Sequence, residues 1–404
     1  MSTVARPPAP TAPGAGRDMR ATLALRVAQV GTLRVAIVLA LIWIIFQSQN
    51  DAFLTSFNLT NLMLQIAGVG TISIGVVLIL LLGEIDLSVG AVSGLAAGVM
   101  AVLNVKHGWG AEAAILAGLA TGAAIGLLNG FFVTRFAIPS FVVTLAGLLA
   151  WQGALLLVLG DTGTVNLSDE TITGLTGTFY GELFGWIMVA VIVGAFAMSG
   201  WLERVRRTRA GLEPPNLVGF LVQLGLIAAG AVATVVVLAS DRGIPLAGLI
   251  LVGLCGVFAF IMTRTTFGRH VFAVGGNAEA SRRSGINVTR IRLIVFVLAS
   301  TLAAAGGIML AARLLAVNQG SGGSDLLLLA IAGPVIAGTS LFGGRGSVWH
   351  ALLGALVIGS ISNGMDLLAL ESSVKFMITG GVLLVAVVID AVFKRQRERS
   401  GAAR

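Results

Sequence analysis

Apolar runs of about 20 residues recur through this chain, from Leu33 almost to a basic C-terminal tail. Each run is long enough to cross the ~30 Å hydrocarbon core of a bilayer as a helix. Only 11% of the 404 residues are charged, against roughly 25% in a soluble domain. A β-barrel would instead need short strands that alternate in polarity. The sequence therefore predicts an all-α integral membrane protein whose 54 glycines allow close helix packing.

The apolar pattern predicts about twelve spans, at 33–47, 61–82, 86–105, 111–134, 139–160, 184–201, 216–240, 244–262, 293–312, 326–342, 347–367 and 374–393. Several are short or separated by little polar sequence, so ten full spans with broken or re-entrant pieces is the alternative. We expect a disordered cytoplasmic tail over 1–32, a transmembrane domain over 33–393 and a basic cytoplasmic tail over 394–404. The stretch 184–240 resembles a two-span insertion into a smaller core.

Basic residues indicate the orientation of the chain. They concentrate in the N-terminal tail, 203–209, 263–292 and 394–399, which twelve spans place on one side of the membrane. By the same span count roughly 22 of the 26 Lys and Arg lie on that side, and only Lys106, Arg242, Arg313 and Lys375 fall on the other. The positive-inside rule makes that side cytoplasmic, with both termini. Topology explains this basicity, so we expect no nucleic-acid partner.

The segment 263–292 carries six arginines against one acid, Glu279. Asn277 can cap a short helix, Glu279 and Arg283 form an i,i+4 pair, and Gly285 suits a left-handed stop. A helix of about seven residues needs support from the membrane domain or from a docked partner, because nucleation is costly. One interpretation is a docking element for a cytoplasmic partner, and the other is an ordinary solvated basic loop. The candidate docking residues are Gly276, Asn277, Ala278, Glu279, Ala280, Ser281, Arg282, Arg283, Ser284 and Gly285.

Two glycine-flanked stretches suggest broken helices. In Gly83–Gly90, Asp86 or Ser88 could cap a helix over 87–103, and acids at membrane depth are functional candidates; the alternative is that Glu84 and Asp86 are hydrated at the interface. The string IDLSVG (85–90) is echoed by TSLFGG (339–344), and Asn129-Gly130 by Asn363-Gly364. Such echoes are typical of transporters with repeated halves, although chance similarity is a rival. The candidate translocation-path or gate residues are Glu84, Asp86, Ser88, Asn129, Thr339, Ser340 and Asn363, for which ordinary interhelical hydrogen bonds are the alternative.

Several catalytic and nucleotide-binding motifs are absent. The chain has no G-x-x-x-x-G-K-[ST], no H-E-x-x-H and no C-x-x-C, and its three histidines lack metal-ligand spacing. We therefore expect no catalytic residues, no metal and no cofactor. If ATP drives this protein, another chain hydrolyses it.

Five stretches carry a family resemblance: GEIDLSVG (83–90), PSFVVTLAG (139–147), FGRHVFAVGGNAEASRRSGINVTRIR (267–292), IAGTSLFGGRGSV (336–348) and SNGMDLL (362–368). They resemble the permeases of bacterial monosaccharide ABC importers, the ribose, arabinose and xylose systems. The length and the 184–240 insertion look most like the xylose permease. Glu84 and Ala337 depart from the family's more usual GGID and GGTSL.

The resemblance implies a permease subunit in the bacterial cytoplasmic (inner) membrane that moves D-xylose or a related pentose. Its implied partners are a second permease subunit in a homodimer, a cytoplasmic ABC ATPase pair and a periplasmic or extracellular sugar-binding protein. The helix at 277–285 resembles the family's coupling helix. The alternative is a proton-coupled secondary sugar transporter that uses Glu84 or Asp86 as its proton carrier.

Overall fold

A computed structural model of the chain describes residues 30–213 and 216–382, with Leu384 and Val388. The helices are α1 (Val30–Gln49), α2 (Ser56–Leu81), α3 (Val89–Val105), α4 (Ala111–Arg135), α5 (Ser140–Leu159), α6 (Glu170–Gly177), α7 (Glu182–Arg209), α8 (Leu217–Ala239), α9 (Leu246–Arg264), α10 (Thr266–Gly276), α11 (Ala278–Arg283), α12 (Val288–Leu314), α13 (Ser324–Ile336), α14 (Trp349–Leu367) and α15 (372–382). The strands are β1 (Thr164–Asn166), β2 (Phe179–Tyr180), β3 (Ile244–Pro245) and β4 (Ala316–Asn318).

Helix lengths confirm the predicted all-α membrane architecture. Among the described residues, seven helices are long and apolar enough to cross a membrane, and three more apolar helices are shorter. The spans predicted at 86–105, 326–342 and 347–367 are wrong at their ends, because α3 begins at Val89, α13 ends at Ile336 and α14 begins at Trp349. The 13 residues of α13 rise only ~20 Å. Irregular segments therefore interrupt the apolar runs at 82–88 and 337–348.

The core is centred on α12, which packs against α2, α3 and α4. Phe296, Ala299 and Ala303 are fully buried. A Cβ added at Gly75 would lie 2.7 Å from the Ala299 carbonyl oxygen, so α2 and α12 touch backbone to backbone. Small residues therefore set the helix spacing, as the glycine content predicts.

Two short antiparallel ladders join distant parts of the chain at one end of the helices. Strand β1 pairs with β4, and β2 pairs with β3. Helix α6 lies between β1 and β2 in the chain and buries Ile172 against the body. The loop at 161–182 thus contains a small folded element.

Helices α7 and α8 form a hairpin at the edge of the molecule. The buried residues of this pair are Gly185, Val235 and Leu238, all near the ends that adjoin β2 and β3. The hairpin matches the predicted two-span insertion in its chain position. Three predicted parts lie outside the described residues: residues 1–29 of the N-terminal tail, the C-terminal tail 394–404, and most of the last predicted span after 382. Residues 30–32 of the predicted N-terminal tail are helical, because they form part of α1.

Candidate functional site

The short helix predicted in the basic segment is present as α11. The Asn277 side-chain oxygen accepts the Ala280 N–H at 2.9 Å, and Gly285 has φ +85°. Glu279 pairs with Arg283 at 3.2 Å, as predicted, and also with Arg282 at 2.8 Å. The cap, the i,i+4 pair and the glycine stop are confirmed, although the helix has six residues instead of about seven.

One face of α11 packs on the body and the other is exposed. Ser281 is 5% exposed, and Ala278 and Ile286 pack against the buried cluster around Val274 and Val288. The side chains of Glu279, Arg282 and Arg283 are 57%, 63% and 79% exposed. The body therefore steadies this short helix while its charged face remains available.

Beside α11, three backbone segments meet at what we call the glycine junction, formed by Leu81, Gly83, Gly275, Gly343 and Gly344. The Gly344 N–H donates to the Leu81 carbonyl oxygen at 2.9 Å. A Cβ added at Gly275 would overlap the same oxygen, and one added at Gly83 would lie 3.4 Å from the Phe342 carbonyl oxygen. The end of α10 is thus in direct contact with Leu81, the residue just before 82–88, and with the segment 337–348, whose Gly343 in turn lies against Gly83.

A salt bridge makes a second connection to the first irregular segment. Arg292, in the second turn of α12, lies 2.9 Å from a Glu84 carboxylate oxygen. The two side chains are only 29% and 13% exposed. This pair fixes the segment to the helix that follows α11. Sequence reasoning missed Arg292 as the partner, although a cation at the start of an apolar helix could have indicated a nearby acid.

Asp86 lies inside the protein, at 4% exposure. One of its carboxylate oxygens accepts the Ser88 N–H at 2.8 Å and the Ser88 hydroxyl at 2.6 Å. The Asn129 amide in turn donates to the Ser88 oxygen at 3.1 Å. For Asp86, the alternative of a hydrated position at the interface is therefore wrong, and Asp86, Ser88 and Asn129 form one buried network.

The capping prediction for α3 is also wrong. Ser88 occupies the N-cap position, but its side chain makes no capping hydrogen bond. Its hydroxyl is instead engaged with Asp86 and Asn129. The helix consequently begins at Val89, two residues later than expected.

The PSFVVT stretch at the start of α5 satisfies the backbone of the first irregular segment. The Ile85 N–H donates to the Ser140 hydroxyl oxygen at 3.2 Å, and the Leu87 N–H donates to that of Thr144 at 3.0 Å. Ser140 and Thr144 are one helical turn apart and buried. Non-helical backbone at membrane depth needs such partners, which gives these two hydroxyls a physical role that the sequence reading did not assign.

In the second irregular segment, Thr339 and Ser340 make local contacts. The Thr339 hydroxyl lies 3.0 Å from His350 Nδ1, and the Ser340 hydroxyl accepts the Phe342 N–H at 3.2 Å. Through Gly343 and Gly344 this segment adjoins the one that holds Glu84. Five of the seven candidate path residues thus lie in two adjoining irregular segments. A sixth, Asn129, is hydrogen-bonded to the first of these segments.

Asn363 does not join them. Near the far end of α14, its amide donates to Asn58 at 3.0 Å and accepts from Asn58 at 2.7 Å. Both side chains are buried. The reciprocal pair fastens α14 to the start of α2, so Asn129 and Asn363 belong to different hydrogen-bond networks.

No metal centre is evident in the described ranges, where no group of three or more His, Cys, Asp and Glu side chains is placed to hold an ion.

Comparison with known proteins identifies the class. Residues 58–387 match the family described as branched-chain amino acid transport system / permease component. The chain belongs to this permease family, and within it to the permeases of bacterial monosaccharide ABC importers that the motifs indicated. It is a multi-pass protein of the bacterial inner membrane and a transport subunit, not an enzyme.

Three named permeases show how similar this chain is to individual members of the family. The chain is 37% identical to the xylose transport system permease protein XylH of Haemophilus influenzae, over 89% of this chain and 96% of the relative. It is 33% identical to the ribose import permease protein RbsC of Bacillus subtilis, over 86% and 88%. It is 29% identical to the L-arabinose ABC transporter permease protein AraH of Azospirillum brasilense, over 85% and 83%. No solved structure gives a significant match.

Proposed function

We propose that this chain is the membrane-spanning subunit of an ATP-driven importer for D-xylose or a related pentose. Two copies form the translocation path, an ATPase pair docks on α11 from the cytoplasm, and an external binding protein delivers the sugar. Similarity to XylH over nearly the whole chain supports the substrate. The proton-coupled alternative is not favoured, because the family consists of transport-system permease components.

The observation that carries the proposal is the direct contact of the end of α10 with Leu81, just before the first irregular segment, and with the second irregular segment. Gly275 lies against the Leu81 carbonyl oxygen, which also accepts the Gly344 N–H. The Glu84–Arg292 pair adds a link through α12. A displacement of α11 therefore has a short, tightly packed route to 82–88 and 337–348.

The mechanism is conformational coupling without bond-breaking chemistry. The ATPase pair closes on ATP and moves the exposed charged face of α11. Because the backbones are in direct contact at the glycine junction, Leu81 and Gly344 move together with Gly275. The segments carrying Glu84, Asp86, Ser88, Thr339 and Ser340 then shift against Asn129, and access to the path changes sides. Asn363 keeps α14 attached to α2 through Asn58 during this motion.

This mechanism requires α11 and both termini to face the cytoplasm. The distribution of charge supports this orientation. Among the described residues, the helix ends and loops on the same side as α11 carry most of the arginines, including Arg135, Arg264 and Arg345. The opposite side carries acids such as Asp161, Glu170 and Glu371. This asymmetry follows the positive-inside rule.

Charge reversal on α11 tests the proposal. Each of the variants Glu279→Arg and Arg283→Glu reverses one charge on the exposed face of α11. Each variant should therefore fail to co-purify with the ATPase and should lose sugar uptake. Arg206→Glu, on the exposed end of α7, is the control and should retain both. The double exchange Glu279→Arg with Arg283→Glu restores an ion pair within the helix but not the docking surface. Full ATPase retention by both single variants would contradict the proposal.

A further inference from the structure

Two buried polar atoms beside the first irregular segment have no hydrogen-bond partner among the described residues. They are Oδ2 of the Asp86 carboxylate and Nε1 of the Trp151 indole. The other carboxylate oxygen of Asp86 accepts both the N–H and the hydroxyl of Ser88. Because the Ser88 hydroxyl is already donating to that oxygen, Oδ2 needs a donor from elsewhere.

Gly147 brings the two groups into one neighbourhood. A Cβ added at Gly147 would lie 2.9 Å from Trp151 Nε1 and 3.4 Å from the Ser88 Cβ. The missing side chain therefore leaves room for the indole, whose N–H lies next to the residue that is bonded to Asp86. Trp151 is only half-buried although its Nε1 is fully buried, so part of its ring is accessible from outside the cluster.

The cluster lies within the membrane-spanning part of the protein. Trp151 is near the middle of α5, whose 20 residues are long enough to cross ~30 Å of hydrocarbon. Ser88 directly precedes α3, at the interruption between two apolar helices. Polar groups without partners are costly at this depth and are typical of substrate pathways. Interrupted helices in transporters also line the path that the substrate takes.

We propose that a hydroxyl group of the transported pentose bridges Asp86 Oδ2 and Trp151 Nε1. An ionised carboxylate only accepts hydrogen bonds and an indole N–H only donates them. A hydroxyl does both, so one sugar hydroxyl satisfies both atoms at once. Each hydroxyl-lacking solute satisfies at most one of them when it offers only a donor or only an acceptor. This inference rests on the proposed function, because it assigns a contact to the sugar that the transporter moves.

Nuclear magnetic resonance of the purified full chain, with labelled indole nitrogens, tests the contact directly. The signal of Trp151 is the one that Trp151→Phe removes, and in wild type it should shift as xylose is added. The signal of Trp186 is the internal control and should stay in place, because its N–H already donates to Glu182 at 3.0 Å. Asp86→Asn replaces the charged acceptor and should weaken the xylose response of Trp151 about tenfold in concentration.

Uptake by the complete transporter in liposomes provides the second measurement. Trp151→Phe keeps an aromatic ring but removes the N–H, so ATP-driven uptake of xylose should fall about threefold. Trp186→Phe is the matched control, which removes an indole N–H far from the cluster and should leave uptake unchanged. Both variants should still co-purify with the ATPase, which separates loss of a sugar contact from loss of the fold.

Two results would overturn the inference: a Trp151 signal that does not respond to xylose, or normal uptake by both Asp86→Asn and Trp151→Phe. Equal shifts of all the indole signals would also contradict it, since they would indicate no specific site. If wild type imports xylose with ATP in any of these cases, the proposed function stands and only the sugar contact is wrong. Absence of ATP-driven uptake by wild type would instead contradict the proposed function, and the Trp151 signal would still decide the sugar contact.

Discussion

At the scale of single residues, Glu84 illustrates how this chain keeps a largely buried charge. Its side chain is 13% exposed, and its carboxylate lies 2.9 Å from Arg292. Charges this far from water are tolerated when they are paired. Removal of either side chain leaves the charge of the other partly buried and without an opposite charge. Single and double charge reversals therefore test whether the pair matters.

We expect Glu84→Arg and Arg292→Glu each to lower sugar uptake about tenfold, because a partly buried charge left unpaired costs on the order of 1–3 kcal/mol. The double variant restores opposite charges in the same place and should recover much of the loss. The measurement is ATP-driven uptake in liposomes that contain the complete transporter. Unchanged uptake by both single variants would remove the pair from the coupling route.

At the scale of elements, the glycine junction explains why the two irregular segments, Leu81 and the end of α10 approach one another so closely. Gly83, Gly343 and Gly344 have φ of +75°, +84° and +69°, a conformation that other residues rarely adopt. Gly275 has helical backbone, and its role is the close approach to Leu81. Both the turns and the contact therefore depend on glycine.

The neighbouring glycines Gly275 and Gly276 offer a matched comparison of stability. Gly275→Ala forces a methyl group against the Leu81 carbonyl, whereas a Cβ at Gly276 meets nothing within 4 Å. Overpacking of this kind costs about 1–3 kcal/mol. Gly275→Ala should lower the thermal unfolding temperature of the purified chain by several degrees, and Gly276→Ala should leave it nearly unchanged. Equal unfolding temperatures for the two variants would show that α10 is not tightly packed on α2.

Local signals anticipated some of these elements well. The cap, ion pair and stop of α11 could be predicted because each depends on residues within four positions of one another. The start of α3 could not, because Ser88 bonds to Asn129 across the fold and leaves the cap unmade. The separation of Asn363 from Asn129 and the approach of Arg292 to Glu84 are likewise tertiary contacts. Similar short strings carry no information on which helices will meet.

At the scale of the whole molecule, the two ends of the helices carry different structures. The glycine junction, α11 and the Glu84–Arg292 pair lie together at one end of the helices. The β1–β4 and β2–β3 ladders lie at the other end, where Arg242 donates to Asn61 at 2.8 Å. The proposed orientation, with α11 in the cytoplasm and α6 outside, places these two ends on opposite sides of the membrane.

Cysteine labelling tests this topology. Cys255 is the chain's single cysteine and is fully buried, so a Cys255→Ala background is suitable. In intact spheroplasts, a membrane-impermeant maleimide should label Thr171→Cys in α6 and should reach Arg206→Cys in α7 only after lysis. The opposite labelling pattern would invert the proposed orientation.

Reconstitution in sealed liposomes tests most directly whether this chain is a gate driven from outside itself. We predict that the chain alone leaves a gradient of labelled xylose unchanged, with or without a pH gradient. Addition of the ATPase and the sugar-binding protein should produce accumulation that depends on ATP and disappears with Glu279→Arg. Accumulation of xylose by the chain alone, abolished by an uncoupler, would contradict this account.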